Sequence, residues 1–122
     1  MYQFNDIYGY GKPIIFIHPF KQQVVKKLVE HICPAVTHVI IFGSATLPAC
    51  RYDSDVDVCL IGDVENMDTS KLLMSGQAYD IVKYHSLTEL RQKAESSFHN
   101  ISKEIYTKGV VVYHVQQHKL MA

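Results

Sequence analysis

A six-residue run in the middle of the chain, Thr37-His-Val-Ile-Ile-Phe42, constrains the fold more than any other feature of the sequence. A run of this length with so little polarity is typical of a buried strand, and Gly43 ends it. Burying this strand requires a packed core, and 122 residues of which 48% are hydrophobic can build one. We therefore predict a single domain over residues 1–122, with loose termini at 1–12 and 116–122.

Periodicity predicts the elements around this strand. Residues 19–33 place apolar side chains three and four positions apart, with lysines and glutamines between them, as in an amphipathic helix. Ser86-Leu-Thr-Glu89 is a capping-box pattern that opens a helical region reaching about residue 108, with a break near 96–100. The other predicted elements are strands at 55–61, 78–84 and 110–115, a short helix within 63–77, and an edge strand or arm at 13–17. This order predicts an α/β (α+β) fold, a mixed β-sheet with helices packed against it.

Charge and cysteine content exclude several classes of protein. Twelve Lys and Arg balance twelve Asp and Glu, so no excess positive charge is available for bulk nucleic-acid binding. The apolar runs are far shorter than the roughly 20 residues that span a bilayer, and no secretory signal is visible. Cys33, Cys50 and Cys59 are an odd number without paired metal-binding spacing, which favours a reducing compartment. We expect a soluble, cytoplasmic protein with free thiols and no membrane segment.

Two aspartates interrupt the strand predicted at 55–61. Alternation places Asp55 and Asp57 on one face of this strand and its valines and leucine on the other. Aspartate is unfavourable in strands, and two carboxylates about 6 to 7 Å apart repel each other unless something neutralises them. One or two hard cations would do so, and Asp80 on the strand predicted at 78–84 offers a third carboxylate. The alternative is an edge strand with solvated aspartates.

Gly43 and Ser44 stand at the end of the buried strand, before a possible short helix. Backbone amides in such a turn could face an anion, because glycine removes the steric barrier to close approach. The Ser44 hydroxyl would add a donor. The alternative is that the pair forms an ordinary turn.

These segments together resemble a known family. The pattern is Gly-Ser, then about ten residues, then Asp-x-Asp, and its parts here are Phe42-Gly43-Ser44, Ser54-Asp55-Val56-Asp57-Val58, and a later Tyr79-Asp80-Ile81-Val82. The chain is similar over residues 37–113 to the minimal nucleotidyltransferases (MNT type) of the DNA polymerase beta-like nucleotidyltransferase superfamily. The glycine and tyrosines of residues 105–113 also resemble the end of these small proteins. The resemblance implies the nucleotidyltransferase fold.

The resemblance also implies an activity. Family members use Mg²⁺ to transfer a nucleoside monophosphate from a triphosphate, usually ATP, to a hydroxyl, and pyrophosphate leaves. Asp55, Asp57 and Asp80 would hold the metal, and Asp80 could act as a general base. Gly43 and Ser44 would hold the triphosphate. Many members carry an arginine soon after the Gly-Ser, whereas this chain has Ala45-Thr46-Leu47-Pro48, and Arg51 is the candidate for the missing charge.

The acceptor follows from the resemblance and from the chain length. Larger nucleotidyltransferases carry an added domain for the acceptor, and 122 residues leave no room for one. We expect the acceptor on a partner protein, as in the two-component toxin–antitoxin systems of the family, where the transferase modifies a HEPN-type ribonuclease. Two alternatives are open: a binding module with weakened catalysis that acts through a protein partner, and transfer to a small molecule at a pocket shared in a homo-oligomer.

Histidine and cysteine offer two further hypotheses. His114 and His118 have a four-residue spacing that suits metal binding on a helix, but the residues around His114 predict a strand, so surface histidines are favoured. Cys59 shares the strand face of the aspartates without a visible base to activate it, and a packed thiol is the better interpretation.

Overall fold

A computed structural model of the protein describes residues 17–70, 76–96 and 101–114. Its helices and strands, in chain order, are α1 (Pro19–Glu30), β1 (Val36–Phe42), β2 (Val56–Gly62), β3 (Tyr79–Tyr84), α2 (Leu87–Glu95), α3 (Ile101–Lys108) and β4 (Val110–His114). Short 3₁₀ turns occupy Gly43–Thr46 and Val64–Asn66. The predicted α+β class is confirmed.

The described strands form one mixed sheet in the order β3-β2-β1-β4. β1 is antiparallel to both β2 and β4, whereas β2 and β3 are parallel. A parallel pair requires a crossover, and residues 63–78 supply it. The arrangement brings the end of β1 and the beginnings of β2 and β3 to the same end of the sheet.

Helices cover both faces of this sheet. On one face α1 packs against the strands, and the buried residues there include Val25, Leu28, Val39, Ile41, Val56, Val58, Leu60, Val110 and Val112. On the other face α2 and α3 pack, and the buried residues are Ile40, Phe42, Cys59, Ile61, Tyr84, Leu90 and Ile105. Successive residues of β1 and β2 alternate between these two cores, as the period of a strand requires. β2 is therefore buried on both sides, although its alternating sequence is typical of a half-buried strand.

The element bounds lie close to the predicted ones. α1 ends at Glu30, three residues before the predicted end, and beyond it the Ile32 amide donates to the Val29 carbonyl in an i→i−3 bond that tightens the last turn. α2 ends at Glu95 and α3 begins at Ile101, while most of the break predicted near 96–100 lies outside the described residues. The predicted helix start at Ser86 is confirmed, since the Glu89 amide donates to Ser86 Oγ at 3.0 Å, but the Glu89 carboxylate accepts from the His85 amide at 2.6 Å rather than from the Ser86 amide of a full capping box.

Other predictions fall outside the described residues or concern the membrane. Most of the arm at 13–17, both predicted loose termini and part of the predicted short helix within 63–77 lie outside the described residues. Among the residues that the structure does describe, none of the helices is both long and apolar enough to cross a membrane.

Candidate functional site

The sheet register brings the predicted site residues together at one end of the sheet. Phe42 of β1 lies opposite Asp57 of β2, and Asp57 lies opposite Asp80 of β3. Because β2 and β3 are parallel and in this register, Asp57 and Asp80 lie side by side on the α2–α3 face of the sheet. The turn at Gly43 follows Phe42 directly, at the same end of the sheet.

Asp57 and Asp80 form a close carboxyl pair. Burial raises the pKa of Asp57, and the nearby charge of Asp80 and a side-chain hydrogen bond between the two carboxyl groups raise it further. Glu104 and Asp55 add smaller contributions in the same direction. Among the described residues, the charges that shift the pKa of Asp57 are all negative, and a proton or a cation would relieve their repulsion.

Gly43 fits against Asp57 in a way that only glycine allows. Its φ is +73°, in the left-handed region, and a Cβ built on it would overlap Asp57 Oδ2 and lie 3.1 Å from Asp57 Cγ. Thr46 stabilises the turn, since its hydroxyl donates to the Gly43 carbonyl at 2.8 Å. The predicted proximity of the glycine turn to the carboxylates is therefore a feature of the fold. Ser44 is half-buried next to this glycine.

Asp55 holds a different position from the other two aspartates. It is exposed, one residue before β2 begins, and it acts on Asp57 through its charge. In the part of the chain that the structure describes, no three His, Cys, Asp or Glu side chains form a group arranged to hold a metal ion. The described metal-type ligands of the site are thus a pair, Asp57 and Asp80, with Asp55 nearby.

A cavity of about 340 Å³ opens beside the carboxyl pair. It is lined by Phe42, Asp57, Asp80, Ile81, Val82, Ile101 and Glu104. Glu104 is an acidic residue of this site that the sequence analysis missed. Its spacing of three from Ile101 predicts that the two share a face of α3, but the strand end that this face meets depends on how the helix packs.

The segment after Ser44 is buried at Ala45 but exposed at Leu47, so burial alone does not account for the missing arginine. Ala45 is completely buried, and its carbonyl accepts a hydrogen bond from the His18 amide at 2.7 Å. A long cationic side chain at position 45 would have to enter the core, which is unfavourable. Arg51 was the alternative source of charge, but its exposed guanidinium lies 3.5 Å from the Asp53 carboxylate. Arg51 thus forms an exposed ion pair with Asp53 at the surface.

Cys59 is a packed thiol rather than a nucleophile. It is fully buried in the core between the sheet and the α2–α3 layer. Burial raises the pKa of this thiol to about 12, so the reactive thiolate is scarcely populated at neutral pH. The structural interpretation made from the sequence fits this environment.

Two histidines meet across the β1–β4 pair. His38 lies opposite His114, with ring centroids 4.2 Å apart, and both rings are half-buried rather than on the open surface expected for His114. Burial and the neighbouring His114 lower the pKa of His38 to about 4. The four-residue partner proposed for His114, His118, lies outside the described residues.

This histidine pair predicts a loss of stability in mild acid. Because the pKa of His38 is lowered on folding, the unfolded chain binds the proton first, and stability falls as the pH drops from about 6.5 towards about 4. Between pH 7 and pH 5, we expect the free energy of unfolding in urea to fall by about 1 kcal/mol more in wild type than in His38→Phe. This value allows for the partial solvent exposure of the His38 ring. Equal losses in both proteins would rule out His38 as the source.

A scan against protein-family models finds no match for this chain, and neither does a search of curated proteins or of solved structures. The arrangement of side chains is therefore the basis for a functional conclusion. Of the predicted site residues, Asp57, Asp80 and Gly43 lie together, Ser44 follows in the turn, and Asp55 stands at the exposed edge of the same cluster.

Proposed function

We propose that this protein is a magnesium-dependent nucleotidyltransferase that moves a nucleoside monophosphate, AMP from ATP in the first instance, to a hydroxyl group of a partner protein. The observation that carries the proposal is the carboxyl pair Asp57–Asp80, on neighbouring parallel strands beside the Gly43 turn. Burial and the neighbouring Asp80 carboxylate raise the pKa of Asp57, and a hard cation bound between the two carboxylates would relieve their repulsion.

Each site residue has a role in this reaction. Asp57 and Asp80 would hold Mg²⁺, with Asp55 as a further carboxylate, and the bound ion would neutralise charge on the triphosphate oxygens. Gly43 leaves room for the phosphates to approach the backbone, and Ser44 is the adjacent hydroxyl donor. The acceptor oxygen forms a bond to the α-phosphorus, the bond to pyrophosphate breaks, and Asp80 accepts the hydroxyl proton.

The acceptor is proposed on a partner protein because the cavity at the carboxyl pair is small and open to one side. Its approximately 340 Å³ suit a side chain presented from outside, and its apolar wall includes Ile101, which is 48% exposed. A HEPN-type partner of a toxin–antitoxin pair is the first candidate, by the family resemblance. The three free cysteines of the described residues agree with a proposed cytoplasmic location.

The test uses ATP labelled at the α-phosphate, Mg²⁺ and the protein encoded beside this one. We expect the label on the partner, a partner mass increased by one AMP, and no transfer in EDTA. ATP labelled at the γ-phosphate should leave no label on the partner, because pyrophosphate departs. Label transfer from the γ position, or transfer that persists in EDTA, would contradict the proposal.

A second function is a nucleotide-binding module with weakened catalysis that acts through a protein partner. The observation that favours it is the acidity of the site: the charges that act on Asp57 come from Asp80, Glu104 and Asp55, while Arg51 pairs with Asp53. Calorimetry with ATP and Mg²⁺, run beside the transfer assay, separates the two functions. Binding without transfer to any neighbour protein supports the module, and binding with transfer supports the enzyme.

A further inference from the structure

Lys21, on the first turn of α1, is a lysine in an unusual place. Sequence periodicity assigns the lysines of this helix to its polar side, yet Lys21 is only 1% exposed. Burying an ammonium group costs several kcal/mol unless hydrogen bonds replace its water. A buried lysine therefore requires a compensating set of acceptors, and the location of those acceptors indicates its role.

The acceptors of Lys21 belong to two separate segments. Its Nζ donates to the Tyr52 carbonyl at 2.9 Å, to the Ser54 carbonyl at 2.6 Å and to Gln77 Oε1 at 3.3 Å. These three bonds match the three protons of an ammonium group. None of these acceptors is a carboxylate, so the charge of Lys21 is solvated by peptide and amide oxygens of the chain.

Gln77 extends this connection between the same segments. Its Nε2 donates to the Ser54 carbonyl at 3.2 Å and to the Ala78 carbonyl at 2.8 Å. The Val56 amide donates to the Ala78 carbonyl at 3.0 Å, which is where the parallel β2–β3 ladder begins. Lys21 thus lies at the centre of a network that joins the approach to β2 with the approach to β3.

Both segments lead directly into the carboxylates. Residues 52–54 precede Asp55 and Asp57, and residues 77–78 precede Asp80. An aromatic contact reinforces the attachment of the first segment to α1, since the rings of Phe20 and Tyr52 pack edge to face at 5.7 Å. Parallel strands lack a short turn to fix their relative position, so their register needs such tertiary contacts.

We propose that Lys21 is a positioning residue, which holds the segments before β2 and β3 together and so sets the distance between Asp57 and Asp80. Its importance for catalysis rests on the proposed nucleotidyltransferase function, whereas its effect on the two segments does not. Lys21 acts from the α1 face of the sheet, opposite the cavity, and touches the carboxylates only through the chain.

The main test compares Lys21→Met with Val25→Ala. Methionine keeps the length and apolar stem of lysine but removes the donors, while Val25→Ala weakens the buried face of the same helix without removing a donor from the network. The first readout is the amide exchange rate of Val56 divided by that of Leu60, a ratio that global destabilisation leaves unchanged or lowers when Leu60 exchanges through global unfolding. We expect this ratio to rise at least about tenfold in Lys21→Met and not to rise in Val25→Ala.

The second readout is the affinity for Mn²⁺ alone, measured from the free-ion signal in electron paramagnetic resonance. Loss of the support behind metal ligands lowers metal affinity by about 10- to 100-fold, and we expect this range for Lys21→Met but not for Val25→Ala. Gln77→Ala is the second variant, used if Lys21→Met does not fold. It leaves Lys21 in place and removes a neutral side chain of the same network. We expect it to raise the exchange ratio at least about threefold, because it removes the three hydrogen bonds that Gln77 makes in this network.

The outcomes separate this proposal from the proposed function. The positioning role is overturned if the exchange ratio is unchanged in Lys21→Met, or if it changes equally in Val25→Ala. If Lys21→Met does not fold, an unchanged ratio in Gln77→Ala overturns it. A wild-type protein that binds Mn²⁺ but transfers no nucleotide overturns the function and leaves the role of Lys21 intact. If wild type binds no Mn²⁺, the exchange ratio alone decides.

Discussion

Asp57→Asn is expected to lose magnesium-dependent nucleotide binding and transfer by about a hundredfold or more, because a metal ligand contributes several kcal/mol. The same change is expected to stabilise the protein without metal at neutral pH. Burial, Asp80 and its hydrogen bond raise the pKa of Asp57, so the folded state holds the proton more tightly than the unfolded chain. The free energy of unfolding of the wild type therefore falls as the pH rises from 3.8 through the raised pKa of Asp57. Asparagine does not titrate, so the variant does not show this loss.

Two measurements check this prediction. Calorimetry with ATP and Mg²⁺ gives the loss of binding, and urea unfolding in EDTA gives the gain in stability. The gain should disappear below pH 3.8, the ordinary pKa of this carboxyl, where wild type is protonated in both states. Unchanged nucleotide binding in Asp57→Asn would remove Asp57 from the site.

Asp53→Asn is the matched control for Asp57→Asn. Asp53 belongs to the same acidic stretch, but its side chain is 76% exposed and pairs with Arg51 rather than with Asp80. Exposed ion pairs contribute about 0 to 1 kcal/mol, so this variant should keep both its stability and its nucleotide binding. A comparable loss in both variants would point to general electrostatics rather than to a cation site.

Gly43→Ala is expected to lower the free energy of unfolding by about 2 to 4 kcal/mol and to abolish transfer. Alanine at φ +73° is strained, and its Cβ would overlap Asp57 Oδ2, so the turn or the carboxylate must move. Either movement separates Asp57 from Asp80. Urea unfolding measures the stability, and the α-labelled ATP assay measures the transfer.

Gly76→Ala is the control that separates the two causes, the strain of a positive φ and the steric overlap with Asp57. Gly76 also has a positive φ, of +89°, but an added Cβ would meet no heavy atom of the described residues within 4 Å. We expect it to lose only the conformational part, about 1 to 2 kcal/mol, and to keep its activity. If Gly76→Ala lost transfer as completely as Gly43→Ala, the contact between Gly43 and Asp57 would not be the cause.

Local patterns in the sequence were sufficient to predict most elements. Three examples are the apolar run that ends at Phe42, the alternation through Asp57 and the capping pattern at Ser86. Each is recognised from residues only a few positions apart. Local hydrogen bonding and side-chain periodicity determine such features, so they can be predicted without the fold. The proximity of Asp57 and Asp80 could also be predicted, because it followed from two predicted strands and from the resemblance to a family motif.

The sequence by itself determined that a glycine turn is followed along the chain by two strands with aspartates near their beginnings. Hydrophobic periodicity and turn residues are local properties, so they can be recognised without the fold. Only the tertiary structure decided that Lys21 is buried, that Glu104 faces the carboxyl pair, and that Ala45 packs in the core. Each of these depends on segments 20 or more residues apart packing against each other. Burial and charge proximity arise from that packing, and a residue's own neighbours in the chain do not specify them.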